Sequence, residues 1–379
     1  MRTLRSVVYI VVDDLRPQLN VAYGQTEMVT PSLDVLASRA AVFERGYAQF
    51  AVCAPSRNSF MTGRRPDRTR CYNFMDDFRE VGPDWVTLPQ YFKDYGYTTL
   101  GGGKTFHPNL PANWDLPYSW DAYFPYDHDD VCNATVAPVP PYDREGDDVC
   151  TVANETALYD YRLASRAIDW YRQHNSTARV AKGKEEKPLF LAVGFRRPHL
   201  KSIVPKSYFD LYEDVVTPPK VKTYPRDRGP IGWCCAQDTA TLNGTTNVTK
   251  GPYAPAFDDF VSAELRRGYY AAVTWTDHNI GRLLRVVDFE NTVILVHGDH
   301  GYELGEMANW RKRTNLELGT RVPLLVAAPG VAPSRVRTPV ELVDVYRTLA
   351  DLAGLPPPPA GAEDGVQGKS LRPYLLMEE

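Results

Sequence analysis

Cys53-Ala54-Pro55-Ser56-Arg57, running on to Thr62-Gly63, sets a cysteine and an arginine four residues apart, one helical turn if the proline opens a helix. A cysteine in that position could attack as its thiolate, or be a small buried hydrophobe. Asp13-Asp14 and Asp299 add three carboxylates, a hard-oxygen set suited to Ca2+ or Mg2+. Arg57 and Lys104 are cations able to meet the charge of a bound anion. Of the seven histidines, His107, His199 and His300 stand beside Pro or Gly just after strand-like runs, while His297 precedes Gly298-Asp299 as a supporting group. An imidazole near neutrality is suited to deliver a proton to a departing oxygen. Taken singly, each has a bland explanation: Asp13-Asp14 a solvated loop or helix cap, Lys104 a surface lysine.

The elements that must position these groups follow from the pattern. The continuous β-branched run at 5–12 reads as a strand buried on both faces, and the runs at 42–48, 97–100, 188–195, 292–297 and 322–328 read as further strands. Helical patterns lie between them, at 31–41, 88–95, 155–173, 258–288 and 342–353; the longest repeats apolar residues at a period of about 3.6. Such alternation predicts an α/β fold, a mainly parallel central sheet with helices on both faces. In an open α/β sheet, ligands bind beyond the carboxyl ends of the strands. Asp13-Asp14, Cys53, Lys104 with His107, His199, and Asp299-His300 each follow a different strand, so five strand ends are expected to bring them to one rim. The stretches 109–152 and 218–255, rich in Pro and weakly periodic, read as long surface excursions.

A formal net charge of −4 leaves no basic excess for nucleic acid, and no stretch approaches the roughly 20 apolar residues that span a bilayer. Five N-x-S/T sequons, at Asn133, Asn154, Asn175, Asn243 and Asn247, favour a glycoprotein of the secretory route, lysosomal or extracellular, although no signal peptide is visible. Cys132 and Cys150 bracket a Pro- and Asp-rich loop and suggest a disulfide; reduced cysteines are the alternative.

The C-x-P-S-R-x4-T-G pattern from Cys53 to Gly63 resembles the signature of the sulfatase family, within the alkaline-phosphatase-like superfold. Val12-Asp13-Asp14-Leu15-Arg16-Pro17, Thr62-Gly63-Arg64-Arg65-Pro66-Asp67, Gly103-Lys104-Thr105-Phe106-His107-Pro108, Arg197-Pro198-His199, Asp299-His300-Gly301 and Trp310-Arg311-Lys312 carry the likeness onward in order. The resemblance implies that an enzyme of the secretory route converts Cys53 to formylglycine. It implies that Asp13, Asp14, Asp299, His300 and the converted Cys53 hold one Ca2+, with Arg57 and Lys104 steadying formylglycine and sulfate. His107 would then help release sulfate, and His199 and Lys312 would face the leaving oxygen. The implied reaction is hydrolysis of a sulfate ester, that of a sulfated sugar. Methionine at Met307 stands where many relatives have histidine, and His300 where many have asparagine. The catalytic domain is expected over 1–355, with 356–379 a linker and the start of a truncated C-terminal subdomain. Two other readings stay open: a phosphatase or phosphodiesterase of the same superfold, which would typically use Ser or Thr with two zinc ions, and a non-catalytic protein that binds sulfated glycans.

Overall fold

The computed structural model describes residues 4–127, 149–180, 187–227, 259–359 and 365–376. Its first strand shows why the sheet forms. β1 (Ser6–Val12) is almost wholly β-branched or aromatic, and all of it after Ser6 is buried. Val8, Ile10 and Val12 enter one apolar layer and Val7, Tyr9 and Val11 the other, as a strand covered on both faces requires. β2 (Ala41–Tyr47), β3 (Thr98–Gly103) and β4 (Ala122–Pro125) precede the short β5 (Val149–Val152). After them come β6 (Leu189–Phe195), β7 (Ser202–Pro205), β8 (Thr292–Gly298), β9 (Glu303–Leu304), β10 (Trp310–Arg311), β11 (Arg321–Ala327), β12 (Ser334–Val336) and β13 (Val340–Glu341).

The main sheet runs β12-β2-β11-β8-β1-β6-β3-β4, with β13 also on β2. Every neighbouring pair in it is parallel except those made by β11, which runs antiparallel to both β8 and β2. The link from β8 to β11 contains no long crossover helix, so the chain returns in the opposite direction. Pro323 lies where the β11–β2 register shifts, the tolerated place for a residue without an N–H. β5 and β7 pair separately.

The helices Tyr159–Val180 and Asp259–Leu284 cover one face of the sheet; Cys53–Thr62, Leu88–Asp94 and Val345–Leu352 cover the other. The mainly parallel α/β reading therefore holds, with one reversed strand. The excursion expected over 109–152 is corrected in part: β4, inside it, adds to the sheet edge through β3. Cys132, Cys234, Cys235, His128, Asn133, Asn243 and Asn247 lie outside the described residues, and with them the expected Cys132–Cys150 pairing. Asn154 is exposed. No described helix is long and apolar enough to cross a membrane.

Candidate active site at the strand ends

Backbone bonds carry the sheet ladder one residue past the strands and fix where the functional groups leave it. Asp13 N–H donates to Phe195 O (3.0 Å), Asp299 N–H to Val12 O (3.1 Å) and Lys104 N–H to Gly194 O (2.7 Å). At Gly103, φ is +75° and a Cβ would stand 2.2 Å from Gly194 O, so only glycine lets β3 turn Lys104 inward. The five expected strand ends thus meet at one rim, and Lys312 joins them from the hairpin formed by β9 and β10.

Cys53 is the first residue of the Cys53–Thr62 helix and is buried. Its Sγ lies 3.2 Å from Lys312 Nζ, 3.3 Å from Asp13 Oδ1, 3.4 Å from His300 Nε2 and 3.7 Å from Lys104 Nζ. One turn along the same helix, Arg57 is fully buried. Its Nε and Nη2 both lie 3.0 Å from Asp299 Oδ2, Nη2 lies 3.4 Å from Asp13 Oδ1, and Nη1 donates to Thr105 O (3.2 Å). Lys104 pairs with Asp13, and Lys312 with Asp14 at 2.5 Å. Three carboxylates therefore face three cations, all of them buried except Lys312, which is partly exposed.

The electrostatics follow from that packing. Burial alone would raise the Asp13 carboxyl, yet Lys104, His199, Arg57 and Lys312 together hold it well below the usual carboxylate range. Burial would likewise lower the Lys312 ammonium, and Asp14 with the Cys53 sulfur keeps it well above its ordinary value. Asp299 is raised, first by burial and then by Asp13. For His300, burial is outweighed by Asp299, which brings it to about 9. Burial, then Lys104 and Arg57, pushes His107 down to about 3; burial, Lys104 and Lys312 hold His199 well below its ordinary range.

Asp13, Asp14, Cys53 and His300 form a group whose ligand atoms all lie within 4.8 Å of one another. Asp299 stands at its edge. Its Oδ1 accepts from the backbone N–H groups of Asp14 (2.9 Å) and His300 (2.9 Å), while its Oδ2 faces Arg57. His107 and His199 sit further out, half-buried, with Nδ1 against Pro108 O (3.2 Å) and Leu200 O (2.7 Å). His297 supports from beneath: its Nε2 meets Tyr9 OH at 2.7 Å and its ring packs on Phe60.

Several residues that hold the site carried no sequence signal. Tyr269 OH donates to Asp14 O (2.7 Å) and accepts from Arg16 N–H (3.0 Å). Asp160 accepts from the N–H groups of Arg196 (2.9 Å) and Arg197 (2.8 Å), pinning the turn that presents His199. Tyr123 OH donates to Gly103 O (2.6 Å). Only the helical periodicity around Tyr269 and Asp160 was readable, and periodicity does not say which residue faces a neighbouring loop.

The Sulfatase family's sequence model matches residues 5–355. The chain is 35% identical to iduronate 2-sulfatase of Mus musculus over 423 aligned residues, covering 99% of this chain and 74% of that protein. It is 29% identical to choline-sulfatase of Rhizobium meliloti, covering 92% and 68%. Among solved structures, a protein in complex with its substrate D-glucosamine-2-N,6-O-disulfate superposes with a TM-score of 0.73 at 19% identity, covering 99% and 81%.

Proposed function

This chain belongs to the sulfatase family and is a sulfuric ester hydrolase, and from that premise we propose that it works through a formylglycine made from Cys53, beside one bound Ca2+, on a sulfated sugar. The observation that carries the proposal is the packing of the Cys53 sulfur against two carboxylates' worth of hard-ligand surface and two ammonium groups. As a thiolate it would be a soft ligand in a hard set; as an oxygen function it matches Asp13 and Asp14, and the group then suits calcium. Asp13, Asp14, His300 and the converted Cys53 would hold the ion, with Asp299 at the edge. His300 fits once the cation displaces the proton that Asp299 favours on it, because its Nδ1 faces Gly301 O at 2.9 Å, which turns Nε2 toward the other ligands. The cation would supply charge that offsets the growing negative charge on the sulfuryl oxygens. Hydrated formylglycine supplies a hydroxyl nucleophile.

The remaining work falls to the chain's own side chains. Arg57, braced by Asp299 and Thr105 O, and Lys104, paired with Asp13, meet the sulfate oxygens with cations that need no rearrangement during reaction. Lys312 keeps its proton at neutral pH, so it is the group ready to protonate the departing sugar oxygen. His199 is neutral there and its Nδ1 is directed at Leu200 O, which suits accepting a hydrogen bond from a substrate hydroxyl. His107, also neutral, can take the proton whose removal releases sulfate.

The sugar assignment draws on the name of the iduronate 2-sulfatase relative and on the sulfated glucosamine bound by the solved neighbour. The arginines that follow Thr62 and Phe195 in sequence are engaged within the protein: Arg197 is buried with Nε on Ile203 O, Arg64 is stacked on Trp85, and Arg65 is paired with Glu341. The test is intact mass and turnover together. The Cys53 peptide from a host able to modify it should be lighter by about 18 Da, and a 2-O-sulfated uronate disaccharide should release sulfate faster than choline sulfate or nitrocatechol sulfate. An unshifted peptide from a fully active enzyme would refute the formylglycine, and preference for choline or aryl sulfate would refute the sugar.

A further inference from the structure

Resting on that sulfated-sugar reading, we propose that a cavity beside the Met307 turn is a second subsite, which takes the neighbouring ring of an oligosaccharide. The cavity encloses about 690 Å³ between the residues that follow Asp14, the Pro218-Pro219 segment and the tip of the hairpin leading to Lys312. That volume is within the usual range for ligand sites and holds a sugar ring with room to spare.

Its walls are elements that also carry the reaction. Arg16 lies two residues beyond Asp14, and the Tyr269 hydroxyl bonds to both Asp14 O and Arg16 N–H, so one side chain joins the cavity floor to the Asp14 turn. On the opposite wall, Met307 N–H donates to Val221 O (2.8 Å), tying the hairpin tip to the proline segment. Arg16 and Arg266 both reach Glu306 Oε1, at 2.9 and 3.1 Å, and hold that tip from the side. From there the chain passes through β10 to Lys312. An occupant would rest against the two elements that present Asp14 and Lys312.

The lining is chemically suited to an anionic sugar. Gln18 Nε2 donates to Gln25 Oε1 (3.3 Å) and Glu27 Oε1 (2.8 Å), which holds an amide and a carboxylate side by side in the cavity wall, groups of the kind that hydrogen-bond sugar hydroxyls. Pro218, Pro219 and Met307 give flat apolar surface for ring C–H groups. Arg16, Arg266 and exposed Lys220 outnumber Glu27 and Glu306, which leaves a positive excess for a neighbouring carboxylate or sulfate.

The test compares kcat/KM for a 2-O-sulfated uronate monosaccharide, its disaccharide and its tetrasaccharide. The wild type should favour the longer substrates by about tenfold, the worth of one or two hydrogen bonds. Gln25→Ala with Lys220→Glu should bring that ratio close to one through KM, and Lys220→Arg should keep it. Lys220 is exposed, so Lys220→Glu alone guards against a folding failure and should lower the ratio in the same direction. No dependence on chain length in the wild type, or an unchanged ratio in the variants, overturns the subsite while leaving the sugar reading intact. Cleavage of nitrocatechol sulfate with no turnover of any sulfated sugar overturns both.

Discussion

Two aspartates, Asp13 and Asp277, are equally buried and oppositely treated. Asp277, on the Asp259–Leu284 helix, accepts the backbone N–H groups of Ser32 (3.0 Å) and Leu33 (2.7 Å) and so caps the Pro31–Ala37 helix from a distance. Burial pushes its carboxyl up to about 7, against those two hydrogen bonds. Asp13 has Lys104 and Arg57 beside it and stays well below the usual range. Backbone dipoles can seat a carboxyl inside a protein, but holding it as a fixed charge takes cations. The rim sets three cations against three carboxylates, so that removing any one partner leaves a buried charge uncompensated.

The comparison breaks most visibly at Cys53. Cys53→Ala removes the nucleophile but no ion pair, so kcat should fall at least about 10⁴-fold while the melting temperature moves by no more than about 2 °C. Residual turnover near wild type would mean that the charged rim serves some other nucleophile. Next in size is Asp13→Asn, which leaves Lys104 and Arg57 facing a neutral group. Activity should drop by about 10³-fold, and the rise in melting temperature that calcium gives the wild type should vanish. If calcium stabilises the variant as much as the wild type, Asp13 is not a ligand.

Nine of the ten candidate side chains sat just past strand ends or beside one hairpin, with Arg57 a turn into the helix that Cys53 opens, and the central strands were legible because a run buried on both faces is apolar at nearly every position. Asp13, Cys53, Lys104 and Asp299 could therefore be placed on one rim from sequence. The direction of β11 could not, because an apolar run has no polarity of its own; its reversal depends on what the chain does between Gly298 and Arg321. β4 was hidden for the opposite reason: three half-exposed residues and an exposed proline at a sheet edge show no period. Composition likewise cannot tell Arg197, fully buried, from Arg70, which is exposed. The supports Tyr269 and Asp160 were illegible because which side of a helix meets a distant loop is a tertiary fact.

A smaller effect sharpens the roles of the two proton-bearing groups at the rim. Lys312 holds its proton and His199 does not. Lys312→Ala should then cost an alkyl sulfate, whose leaving oxygen needs a proton, about 100-fold more than an aryl sulfate, which leaves well without one. His199→Ala should cost both about equally, and mainly in KM. A leaving-group dependence found in His199→Ala and absent from Lys312→Ala would exchange the assignments.

The smallest effect tests the comparison without touching turnover. Asp277 has a folded-state value of about 7 against an ordinary 3.8, so the folded protein binds its proton more tightly than the unfolded chain does. Its contribution to stability is fully present below about pH 4 and is lost as the pH rises through 7, by at most about 4 kcal/mol over three pH units. Asp13 has the opposite sign: its contribution is present above the ordinary carboxylate value and is lost as the pH falls toward its depressed one. Asp277→Asn cannot titrate, so the difference in unfolding free energy between wild type and variant isolates this one group. At pH 4 the variant should be less stable by about 1–3 kcal/mol, since an amide offers one acceptor oxygen to two backbone N–H groups. By pH 8 that gap should close or reverse, with kcat unchanged throughout. A gap that stays constant from pH 4 to 8 would mean that Asp277 is charged when folded, and that two backbone N–H groups can do for a carboxylate what Lys104 and Arg57 do for Asp13.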